Sequence, residues 1–134
     1  MSDYGKRAGE LFANGYNCAQ AVVAAFAEGD EEKKTLASIA SGFGGGIAGT
    51  REMCGAVSGM LMAAGLLRGS YEKGNAEAKK EHYALCRELM DVFREKCGSI
   101  ICHELREFQI SGDAKKYSCK ELCVIAADIL AKEL

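Results

Sequence analysis

Proline and tryptophan are absent from this 134-residue chain, and histidine occurs only twice. Without proline, no helix interior is interrupted by a missing donor or a ring clash, so the chain is free to be helical throughout. Basic residues are not in excess. The 17 Lys and Arg against 19 Asp and Glu give a formal charge of −2, which leaves no electrostatic footprint for nucleic acid. The opening MSDYGKRAGE lacks the apolar stretch of a signal peptide, and a cytoplasmic location is expected from it. The longest apolar run, Met53 to Leu67, contains three glycines and a serine between charged neighbours; it reads as a buried helix and not as a membrane-embedded span.

Several site signatures are missing as well. No C-x-x-C occurs, which excludes a thioredoxin-type motif and a zinc ribbon, and no C-x-x-C-H occurs to attach haem. Gly44, Gly46 and Gly49 spell G-x-G-x-x-G, but the residues before them look helical and no strand follows, so a dinucleotide site is not indicated. The phosphate-loop pattern fails because Gly49 is followed by Thr50-Arg51. The glycines read as a tight connection with positive φ.

What is present is helix punctuation. Residues 3–14 put Ala8, Leu11 and Phe12 on one face and stop at Asn14-Gly15. Asn17 caps a second helix through about Glu28, with Gln20 closing a capping box. Asp30 starts a third, acidic at its front, that runs to the glycines at 42. Thr50 caps a fourth, through about Arg68, and Asn75 opens the longest, ending before Gly98. Ser99 begins a short helix, and Ser118 caps the last, with Glu121 three residues on. No segment alternates apolar and polar for long, so the expected fold is all-α: one multi-helix domain over residues 1–134. Its central helix carries Gly55, Gly59 and Ala63 at every fourth position. That bare face costs about 1 kcal/mol of helix propensity per glycine and implies close approach of another helix or a cofactor.

Seven cysteines remain, an odd number that cannot all pair within one chain. In a reducing compartment such an excess points to metal or redox chemistry. Four fall at helix starts: Cys18 after Asn17, Cys54 after Thr50, Cys102 after Ser99 and Cys119 after Ser118. A helix N-terminus favours the thiolate by typically 0.3–1 kcal/mol, about one pKa unit at most. Four thiolates gathered without a cation would repel and desolvate at several kcal/mol each. The expectation is that these four converge within one coordination shell or within disulfide reach. Cys86 and Cys97 lie on the core stripe of the long helix, with His82, Leu89 and Phe93, and read as small hydrophobes. Cys123, one turn after Cys119, reads as core filler first and as a spare ligand or resolving thiol second. Of the histidines, His103 beside Cys102 is the better ligand candidate.

The segments GYNCAQAV around Cys18, CGAVSG at 54–59, FREKCGSIICHEL around Cys102 and CKELCVIAADIL from Cys119 resemble the C-GCAxxG-C-C family of putative redox-active proteins. The resemblance runs over nearly the whole chain. Its four name-giving cysteines match Cys18, Cys54, Cys102 and Cys119, with Met53 where the family's name writes a glycine before the second. The resemblance implies an α-helical, redox-active domain. Related domains occur in split-Soret-type cytochromes, where such cysteines accompany an iron centre. It therefore implies an iron–sulfur cluster, iron or another thiolate-bound metal on those four cysteines, serving electron transfer; the spacing of Gly55 and Gly59 would set their bare face beside that cofactor or against another helix.

Two other readings stay open. One is a metal-free dithiol/disulfide oxidoreductase using two of the same four cysteines as catalytic groups. The other is a helical partner-binding module with a structural zinc. The chain does not name its redox partner, and a homodimer is compatible with it.

Overall fold

The computed structural model describes residues 1–112 and 116–134. Among them are seven α-helices and no strand: α1 Asp3–Ala13, α2 Cys18–Ala24, α3 Asp30–Ile39, α4 Gly55–Arg68, α5 Ala76–Cys97, α6 Cys102–Ser111 and α7 Cys119–Ala131. The all-α expectation holds. The capping boxes form as written in the sequence. The Asn17 side chain accepts from Gln20 N–H while the Gln20 side chain accepts from Asn17 N–H, and Ser118 and Glu121 do the same for α7. Asn75 caps α5, and Gly98 ends it in the left-handed conformation at φ 94°.

Four boundaries differ from the expectation. Helix α2 ends at Ala24, well before Glu28, and α3 passes at Ile39 into a 3-10 turn, Ala40–Phe43. Thr50 caps no helix: its hydroxyl donates back to the Gly46 and Ile47 carbonyls, and α4 starts at Gly55 with Cys54 in the cap position. Ser99 does not begin α6 either. Its hydroxyl accepts from Ile101 N–H and donates to Glu104, fixing the approach to a helix whose first residue is Cys102. In both cases a hydroxyl that could cap a helix instead closes the turn before it.

The core is built of small side chains. Helix α1 packs on α7, and α2 lies between α4 and α1, with Ala19, Val22, Val23, Ala56, Val57, Met60, Ala63 and Ala126 all buried. Contact between α2 and α4 depends on glycine. A Cβ on Gly59 would fall 2.6 Å from the Ala19 carbonyl oxygen, and one on Gly55 3.0 Å from Cys18 Cβ. The two backbones meet where those side chains are missing.

The segment 44–52 winds left-handed. Gly45, Gly46, Ile47, Ala48, Gly49 and Arg51 all have positive φ, between 52° and 76°. Amides reach back six residues, Ala48 N to Gly42 O at 2.8 Å, Arg51 N to Gly45 O at 3.0 Å and Glu52 N to Gly46 O at 2.8 Å. Each non-glycine residue held this way costs about 1–2 kcal/mol, so the surrounding contacts must hold the loop in place. The loop delivers the chain to an isolated antiparallel bridge, Met53 with Ile101.

Candidate functional site

The four motif cysteines reach one place by two routes. On the first, Cys54 N donates to Ile100 O at 2.8 Å and Cys102 N to Glu52 O at 2.6 Å, on either side of the Met53–Ile101 bridge. Residues 48 apart in sequence thereby bring the starts of α4 and α6 together. On the second, capped helices α2 and α7 meet with Cys18 and Cys119 as their first residues, so that the two thiols are neighbours. The result is a cavity of about 40 Å³ lined by all four cysteines together with Gly46, Gly55, Arg51, Arg106 and Gln109. That is room for a water or an ion, since a water needs roughly 10–15 Å³, and far below the roughly 300–1,000 Å³ of an organic ligand site. A larger cleft, about 470 Å³, lies at the end of α4 beside His82 and Tyr83 and holds none of the four.

Gly46 makes the wall possible. At φ 73°, its added Cβ would lie 2.6 Å from Cys102 Cβ and 2.7 Å from Arg51 Cα. Gly55 lines the cavity; Gly59 packs against Ala19 and Val22 of α2 instead.

Electrostatics run against the helix-terminus expectation. Burial pushes the Cys54 thiol up to about 12, against the opposing amides of Val57 and Ala56. For Cys18 the neighbouring Cys119 thiol favours the thiolate, but Cys123, burial and the nearby Cys54 outweigh it and raise the pKa. Cys119 is raised by the neighbouring Cys18 thiol and by burial, with Gln109 and Arg106 pulling the other way. Desolvation and crowding of like groups thus exceed what a helix end supplies. The compensating polar groups sit at the rim: Arg51 Nη1 lies 3.9 Å from Cys102 Sγ, and Gln109 Nε2 lies 3.9 Å from Cys119 Sγ while donating to Tyr117 O at 2.7 Å.

The remaining candidates separate cleanly. Cys97 is fully buried in the core, and Cys86 is half-buried with its sulfur 3.5 Å from His82 Nε2, away from the cavity. His103 is exposed, 3.9 Å from Glu107, and does not line the cavity. Cys123 is fully buried directly behind Cys18, its S–H donating to the Cys18 carbonyl at 3.8 Å. Arg106 and Gln109 follow Cys102 at helical spacing, four and seven residues on, which is the signal in the sequence that places them beside it. Nothing in the sequence marked Arg51, whose place depends on the left-handed loop.

As a metal cage the donors are incomplete. Among the described residues no group of three or more His, Cys, Asp or Glu is arranged to hold a metal ion, although four soft thiols face one cavity. Among the described residues no helix is long and apolar enough to cross a membrane.

No curated protein and no solved structure gives a significant match to this chain. A family model described as "Putative redox-active protein (C_GCAxxG_C_C)" matches residues 16–133, which takes in all four cavity cysteines. The chain belongs to the C-GCAxxG-C-C family of putative redox-active proteins.

Proposed function

We propose that the cavity is a two-electron redox centre in which Cys18 and Cys119 cycle between dithiol and disulfide. The observation that carries this reading is the placement of Cys18 and Cys119, the first residues of α2 and α7, in the lining of one small cavity. An environment that disfavours thiolates favours the two uncharged states, dithiol and disulfide, and moving between them transfers two electrons and two protons without burying charge. In exchange with an external disulfide, one of the pair forms a mixed disulfide and expels a thiol. The second then attacks the first, closing Cys18–Cys119 and releasing the other external thiol. Two protein thiols are oxidised and one external disulfide is reduced to two thiols.

Half-buried Cys119, with Gln109 and Arg106 beside it, is the better placed to meet a partner disulfide. Buried Cys54 and the Arg51–Cys102 pair line the same cavity.

The four thiols around one cavity also favour a second reading, ligation of iron, an iron–sulfur cluster or zinc by Cys18, Cys54, Cys102 and Cys119. A bound cation would supply the positive charge that lets these thiols ionise. The side chains would have to turn to meet it, since no three donors are so arranged.

Anaerobic purification with metal analysis, visible absorption and thiol counting decides between them. The dithiol reading expects colourless, metal-free protein whose seven thiols fall to five on treatment with oxidised glutathione. Stoichiometric metal that blocks this oxidation would replace it with the ligation reading.

A further inference from the structure

We propose that Cys123 is a third redox thiol, positioned to take the disulfide over from Cys119 so that the bond migrates from the cavity into the core. The inference rests on the Cys18–Cys119 pair proposed above. Cys119 and Cys123 stand one turn apart on the same face of α7, and Cys18 meets both. The Cys123 sulfur lies 3.8 Å from the Cys18 carbonyl oxygen, and both Cys119 and Cys123 perturb the Cys18 thiol. The two partners differ in environment. Cys119 is half-buried on the cavity wall, whereas Cys123 is fully buried and outside the cavity lining.

The step balances without any outside reagent. The Cys123 sulfur attacks Cys18 Sγ of the Cys18–Cys119 disulfide, the Cys18–Cys123 bond forms as the Cys18–Cys119 bond breaks, and the proton given up by Cys123 ends on Cys119. One disulfide and one thiol remain throughout. The exchange stores the oxidised state where external thiols do not reach and returns a thiol to Cys119 at the cavity.

Lys120 lies between the two cysteines, so trypsin puts Cys119 and Cys123 on separate peptides. The full-length reduced protein is pulsed with oxidised glutathione, quenched in acid at intervals, unfolded, alkylated and digested. The Cys18–Cys119 link is expected first, followed by Cys18–Cys123 with Cys119 recovered alkylated. Cys123→Ala is expected to lose the second species and remain at Cys18–Cys119. Wild-type protein that accumulates Cys18–Cys119 while Cys123 stays alkylated at every time point overturns the migration and leaves the dithiol function standing. Protein in which Cys18 enters no intramolecular disulfide overturns both. The wild-type time course decides the matter even if Cys123→Ala fails to fold.

Discussion

Met53 and Ile101 pair across an antiparallel bridge, and the residue after each is a cavity cysteine. Two backbone hydrogen bonds, from Cys54 to Ile100 and from Cys102 to Glu52, fix the starts of α4 and α6 side by side. A helical protein has used one β contact to set the spacing of two thiols, and the left-handed loop before Met53 is what turns the chain into that contact.

Gly46→Ala tests the loop. The new methyl would meet Cys102 Cβ and the Arg51 backbone at a φ of 73°, where an L side chain is itself disfavoured. The expected outcome is a loss of about 1–3 kcal/mol in urea unfolding together with altered alkylation of Cys102. Wild-type stability and reactivity in this variant would mean that the loop does not hold the wall.

Gly59→Ala tests the α2–α4 contact. Its Cβ would fall 2.6 Å from the Ala19 carbonyl, and backbone cannot yield as a side-chain tip would. Overpacking should cost about 1–3 kcal/mol, and Gly59→Leu more. Because Gly59 is not part of the cavity lining, the thiol oxidation pattern should survive wherever the variant folds. An unchanged melting temperature for Gly59→Leu would refute the close approach.

Reduced protein should lose stability in alkali. In the fold Cys54 keeps its proton to about pH 12, while the ordinary thiol ionises near 9. Between these values the unfolded chain has released a proton that the native state retains. Stability is therefore complete below about pH 9 and falls as pH rises, by up to about 1.4 kcal/mol per unit for this thiol. Cys18 and Cys119, also raised, should steepen the fall. Denaturant melts at several alkaline pH values check this, with Cys54→Ala expected to flatten the dependence; parallel curves for variant and wild type would contradict it.

The cysteines should sort by position. Cys18→Ser is expected to abolish the two-thiol oxidation, Cys119→Ser to slow it by removing the thiol at the cavity, and Cys86→Ser to leave it intact at little cost. Cys97→Ser should leave oxidation intact but lower stability by about 1–3 kcal/mol, since its hydroxyl enters an apolar core. Equal loss of oxidation in Cys86→Ser and Cys119→Ser, followed by thiol counting, would remove the assignment.

Local chemistry in the sequence determined the helices whose caps are self-contained. Asn17 with Gln20 and Ser118 with Glu121 need only their own four residues, and they set Cys18 and Cys119 at the first positions of α2 and α7. The glycine spacing of α4 likewise announced a close helix contact, because a missing side chain has the same consequence whatever the partner. The starts of α4 and α6 were not legible. Thr50 and Ser99 carry capping hydroxyls, yet both close turns, and the reason is the Met53–Ile101 pairing, a contact between distant segments. Tertiary structure alone also decided the state of the thiols. A helix end adds a small, local bias toward the thiolate, whereas burial and neighbouring sulfurs arrive only when α2, α4, α6 and α7 meet, and their larger effect holds Cys18, Cys54 and Cys119 protonated.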